Sequence, residues 1–186
     1  GPFQDNEGET ACEACQPGKY CEPGVARPTL CPGGRYGNAT NLTAAGECGD
    51  CPVGHACAAG STAPTACQPG TKASRTSRAE CEYCAEGTYQ SDAQQTSCNE
   101  CRPGNYCPQG SSAELPCEGG TYSGNSSLGA ASQCSICPVG HACFTGAEKK
   151  EPCNPGTYAA TEGQRACTLC EKGKYQPSKA SKSCLP

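Results

Sequence analysis

Apolar side chains along this chain are sparse and short-ranged. Gly, Pro, Ser and Thr recur too often for a helix of useful length, and brief stretches such as Gly87–Gln90 (GTYQ) and Gln94–Cys98 (QQTSC) suit two-strand ribbons of a few residues. The apolar positions that do recur are tied to cysteine. Tyr20, Tyr36, Tyr89, Tyr106, Tyr122, Tyr158 and Tyr175 each stand five residues after a Cys that opens a turn, in a Gly-x-Tyr context, and Phe3 fits the same slot. Each ring is expected to cover a neighbouring disulfide. The Gly before it, as in Gly18, Gly87 and Gly173, supplies the positive φ of a tight turn.

This phrase belongs to a long period. Every Cys from Cys12 to Cys98 finds another Cys 86 residues later, and the string CPVGHAC occurs at 51–57 and again at 137–143. About 34 of the 86 aligned positions are identical. The chain therefore reads as a tandem array. Residues 1–11 are a partial unit, 12–97 a first super-repeat with units 12–47, 48–80 and 81–97, and 98–183 a second with units 98–133, 134–166 and 167–183. Residues 184–186 begin another. The opening Gly1–Gln4 (GPFQ) falls in phase with GTYQ and with Gly173–Gln176 (GKYQ), so it is expected to be native repeat sequence entered in mid-loop.

Composition sharpens that picture. Of 186 residues, 21 are Cys, and only 35% are hydrophobic with Cys included. Too little apolar surface is available to offset the conformational entropy of ordering the chain, so disulfides must stabilise the fold. The expected fold class is small disulfide-rich repeats, mostly irregular with short two-strand β ribbons, in an elongated, rod-like tandem array. Such bridges persist in oxidising compartments, which places the segment outside the cell or on its surface. Cys-x-x-Cys is also a zinc spacing, but only two His are present and the cysteines do not partition into sets of four. No cofactor is expected. No apolar run reaches the roughly 18 residues of a membrane span. The net charge of −4 is mild and the Lys and Arg are scattered, unlike the basic stripe of a nucleic-acid binder.

Two disulfide schemes fit the spacing. In the preferred sequential one, Cys15 pairs with Cys21, Cys31 with Cys48, Cys51 with Cys57, Cys67 with Cys81 and Cys84 with Cys98. The second copy pairs Cys101 with Cys107, Cys117 with Cys134, Cys137 with Cys143, Cys153 with Cys167 and Cys170 with Cys184, leaving Cys12 alone. The rival scheme interlocks first with third and second with fourth, as Cys12 with Cys21 and Cys15 with Cys31; it strands Cys184. Closing a loop of about 15 residues removes roughly 3 kcal/mol of unfolded-state entropy in the chain-entropy model.

Candidate chemistry is limited. Three sequons, at Asn38, Asn41 and Asn125, lie in the loop between Cys31 and Cys48 and in its copy between Cys117 and Cys134, and are expected to carry N-linked glycans. His55 and His141 stand alone in PVGHAC, without the convergent ligands a metal requires or a free thiol to activate. Asp5, Glu7 and Glu9 lack calcium-loop spacing. No catalytic residue, metal site or enzyme activity is expected.

Strings such as CEYCAEGTYQSDAQQTSCNECRPGNYC and CTLCEKGKYQPSKASKSC resemble the ephrin-receptor-like cysteine-rich repeats of large extracellular proteins. They are more distantly similar to tumour necrosis factor receptor modules. The resemblance implies an extracellular module whose function ranges over ligand binding, adhesion and plain spacing. The strict period favours a glycosylated structural protein, part of a fibre, surface appendage or matrix, that self-associates or meets other extracellular proteins. The alternative is the ligand-binding or adhesion stalk of a cell-surface receptor. Its binding site would lie where the super-repeats differ, for instance around Phe144, Lys149 and Lys150.

Overall fold

The computed structural model describes residues 2–4 and 11–186. The sequence readings on Gly1, Asp5, Glu7 and Glu9 fall outside them. The chain divides into two compact units, residues 1–83 with 90–98 and residues 84–89 with 99–186.

In the first unit four antiparallel ribbons follow one another: β1 (Lys19–Tyr20) with β2 (Thr29–Leu30), β3 (Arg35–Tyr36) with β4 (Gly49–Asp50), β5 (His55–Ala56) with β6 (Thr65–Ala66), and β7 (Thr71–Lys72) with β8 (Glu82–Tyr83). The second unit holds β9 (Thr88–Tyr89) with β10 (Asn99–Glu100), β11 (Asn105–Tyr106) with β12 (Leu115–Pro116), and β13 (Thr121–Tyr122) with β14 (Ser135–Ile136). It continues with β15 (His141–Ala142) paired to β16 (Glu151–Pro152) and β17 (Thr157–Tyr158) paired to β18 (Thr168–Leu169). Single bridges, Phe3 to Glu13 and Tyr175 to Leu185, carry the same pattern further. Two 3-10 turns, Ala45–Glu47 and Ala131–Gln133, fill the longest loops.

The logic is local. A turn-opening Cys is followed by a positive-φ Gly, then by two strand residues; the chain loops out and returns as two strand residues that end at the next turn-opening Cys. The stretch GTYQ supplies β9 as expected. Its partner is not QQTSC, which stays in the loop, but β10, which follows it directly between Cys98 and Cys101. The two residues inside a Cys-x-x-Cys pair are therefore a strand. Side chains alternate faces along an extended segment, so the flanking cysteines point opposite ways. Cys48 closes back onto Cys31, while Cys51 closes forward onto Cys57.

The remaining bridges join Cys15 to Cys21, Cys67 to Cys81, Cys101 to Cys107, Cys117 to Cys134, Cys137 to Cys143, Cys153 to Cys167 and Cys170 to Cys184. Cys84 and Cys98 are also disulfide-bonded, and Cys12 is a free, exposed thiol. The buried apolar set consists of cysteines, four alanines (Ala56, Ala73, Ala142, Ala159) and Leu128. Leu128 packs with Cys117 and Cys134, and the half-buried ring of Tyr106 lies against them. Tyr36 covers the strand partner Gly49, whereas Tyr175 is 58% exposed. Sulfur takes the place of a hydrocarbon core.

Hairpins stack on their successors through three backbone hydrogen bonds. In the first unit Gly34 N–H donates to the Cys57 carbonyl (2.7 Å), Gly37 N–H to Ser61 (2.9 Å) and Gly60 N–H to Cys31 (2.8 Å). Eighty-six residues on, Gly120 donates to Cys143 (2.7 Å), Ser123 to Ala147 (3.0 Å) and Gly146 to Cys117 (2.8 Å). This accounts for backbone polar groups that two-residue strands leave unpaired. A second contact reaches one hairpin further. Gly54 (φ 72°) and Gly140 (φ 75°) sit where a Cβ would run into the carbonyls of Gln94 and Ala180, respectively.

Candidate functional site

The framework leaves one class of loop free of covalent closure. Where the bridge is short, as in Cys51–Cys57 and Cys137–Cys143, the loop beyond it lies outside any disulfide ring. These are also segments in which the super-repeats differ. Residues 58–66 read AAGSTAPTA; their counterparts 144–152 read FTGAEKKEP.

The second of these loops has the more distinctive surface. Phe144 is 61% exposed although it follows buried Cys143, which closes the ring with Cys137. It borders two shallow depressions of about 380 and about 340 Å³. One is walled by Gly146, Ala147, Glu148 and Lys149, the other by Ala142, Pro152, Thr157 and Ala166; Glu151 lines both. Lys149 Nζ lies 3.3 Å from Glu151 Oε1, and Lys150 is exposed. An apolar ring beside mixed charge is a surface that can contact another protein.

The histidines open strands β5 and β15. Nδ1 of His55 lies 3.0 Å from the Val53 carbonyl, and His141 makes the same contact with Val139. Among the described residues no group of three His, Cys, Asp or Glu converges in a way that could hold a metal ion. No helix there is long and apolar enough to cross a membrane.

The sequons occupy different settings. Asn38 and Asn125 are exposed, the latter with its backbone N–H donated to Ser123 Oγ (3.1 Å). Asn41 is exposed yet structural. It takes φ 60°, and its Oδ1 accepts the Cys15 N–H at 3.0 Å while its own N–H donates to the Cys15 carbonyl at 2.8 Å. Asn tolerates left-handed backbone better than most residues, so its place here has a conformational cause as well as a sequon one.

One polar contact had no sequence signal. Arg102 Nε and Nη2 reach Glu114 at 2.9 and 2.5 Å, and the Arg102 backbone N–H donates to the same carboxylate at 2.7 Å. Hydrogen bonds from the Arg102 side chain, with that from its backbone, hold the Glu114 carboxyl below its usual range. The pair is twelve residues apart across a loop, and its first-copy counterparts are Gln16 and Pro28, so neither spacing nor repetition points to it.

Residues 70–114 and 156–186 match the family described as tyrosine-protein kinase ephrin type A/B receptor-like. Those segments are similar to ephrin-receptor-like cysteine-rich repeats; the similarity to tumour necrosis factor receptor modules rests on the sequence strings alone. No curated protein matches the chain. The matched family is a receptor-like cysteine-rich module rather than an enzyme family, and with the many disulfides it points to an extracellular or cell-surface location.

Proposed function

We propose that the chain is a structural segment of an extracellular, N-glycosylated repeat protein, whose stacked hairpins form part of a fibre, surface appendage or matrix. The observation that carries this reading is the junction. The same three backbone bonds recur at positions 86 residues apart, 2.7–2.9 Å in one unit and 2.7–3.0 Å in the other. Identical junctions give successive super-repeats the same local surface, which suits lateral or head-to-tail association with itself. Glycans at Asn38, Asn41 or Asn125 would stand on the long loops of corresponding hairpins. No cofactor, nucleic acid or catalytic step belongs to this reading. Electron microscopy of native, unreduced material tests it: ordered filaments with an axial repeat commensurate with the super-repeat support it, and dispersed single particles overturn it.

Exposed Phe144 beside Lys149 and Lys150 favours a second reading, a binding or adhesion ectodomain. Under that reading a partner's affinity drops sharply on Phe144→Ala, because a few apolar anchors dominate such interfaces. Glycan occupancy is checked by the mass lost on glycosidase treatment of peptides spanning 31–48 and 117–134.

A further inference from the structure

Of the 14 Lys and Arg residues, eleven lie inside loops closed by a disulfide: between Cys67 and Cys81 or Cys170 and Cys184, for example, or inside the short Cys15–Cys21 ring. Hydrolysis beside any of these only nicks the chain, because the bridge still joins the two ends. Four nine-residue segments have no spanning bridge: 22–30, 58–66, 108–116 and 144–152. The two-residue strands inside Cys-x-x-Cys pairs contain no Lys or Arg. Two of the nine-residue segments contain none either, and in 22–30 the basic residue is Arg27, followed by Pro28, whose ring resists basic-residue proteases. That leaves Lys149 and Lys150.

We propose that Lys149–Lys150 is a cleavage site for an extracellular endoprotease specific for basic residues, and the one place where such an enzyme parts the unreduced chain. Local structure agrees with the covalent map. Lys149 is 81% exposed. Among the described residues no backbone hydrogen bond holds Glu148, Lys149 or Lys150, although Gly146 is anchored to Cys117 upstream and β16 to β15 downstream. Exposed, unpaired loop backbone is where proteases act on folded domains. In the reaction water adds to the Lys149 carbonyl carbon and the C–N bond to Lys150 breaks. Lys149 keeps a carboxylate and Lys150 gains an amine, with the protease supplying the acid and base groups. The corresponding Ala63–Pro64 of the first super-repeat offers no such bond. The inference stands apart from the structural reading: it rests on the disulfide map and holds for a fibre or a receptor stalk.

The test is trypsin digestion of the native, unreduced chain, followed by denaturing electrophoresis without reductant and mass measurement. Two separated pieces are expected, with new ends at Lys149 or Lys150. A Lys149→Gln/Lys150→Gln variant, with an unchanged thermal transition, should lose the separation and migrate as one band. Introducing Ala63→Lys/Pro64→Lys should create a second scission in the first super-repeat. A wild-type chain that stays whole without reductant overturns the proposal, as does separation that persists in the double Gln variant.

Discussion

The loop at 58–66 and its counterpart at 144–152 hang from the same frame. Each follows a six-residue disulfide step, each holds its His ring 3.0 Å from a Val carbonyl, and each has a positive-φ Gly (Gly60, 80°; Gly146, 75°) bonded back to the previous hairpin's opening Cys at 2.8 Å. Their surfaces share almost nothing. One is small and uncharged; the other carries an exposed Phe, two Lys and two Glu. The difference teaches that this fold is specified by backbone bonds, glycines and sulfur, and that side chains beyond the frame vary without disturbing it. Function specific to one copy must be sought in such loops.

The frame can be broken in both copies at once. Complete reduction is the largest perturbation, because the buried apolar set consists of cysteines, alanines and one leucine. Both loops should lose hydrogen-exchange protection together, with no cooperative thermal transition left; a transition surviving in strong reductant would remove sulfur from the account. Next in size are Gly54→Ala and Gly140→Ala. Each forces a left-handed residue to carry a Cβ against a carbonyl two hairpins on, at a cost of roughly 2–3 kcal/mol. Similar losses in the two, measured by denaturant unfolding, are the expected result. A loss confined to one copy would mean that the shared frame is only apparent.

Much of that frame was readable beforehand, for physical reasons. Short ribbons and the turn glycines follow from residue types whose backbone preferences are strong and local. The return strand was not readable: QQTSC has strand-like residues, yet the ladder forms at Asn99–Glu100, where the pairing is dictated by the turn glycine and the next Cys rather than by propensity. The stacking contacts escaped too, since they join backbone atoms about 20 to 40 residues apart and leave no side-chain signature. Asn41 shows the same limit. Its sequon is visible in the letters, while its bond to Cys15 is visible only in three dimensions.

The surface difference is tested by smaller changes. Phe144→Ala and the converse Ala58→Phe should each shift stability by no more than about 0.5 kcal/mol, since both loops lie outside the frame. If Phe144→Ala instead destabilised the fold by as much as Gly140→Ala, the ring would have to be counted as part of the frame.

The smallest expected effect separates another pair of corresponding loops, 22–30 and 108–116. Only the second is pinned by a carboxylate, Glu114, which is 10% exposed and accepts from both the side chain and the backbone of Arg102. Because Glu114's carboxyl is held below its usual value in the folded chain, its contribution is fully present above the unfolded pKa, near pH ~4.3, and is lost as pH falls through the lower folded value. Acidification below about pH 4 should therefore raise hydrogen exchange in 108–116 beyond any change in 22–30. Arg102 is 75% exposed, so solvent screens its share and the effect stays modest. In Glu114→Gln the excess over 22–30 should vanish, because the amide does not ionise in this range. An excess that persisted in that variant would assign the acid response to another carboxylate and leave the two loops equivalent in how they are held.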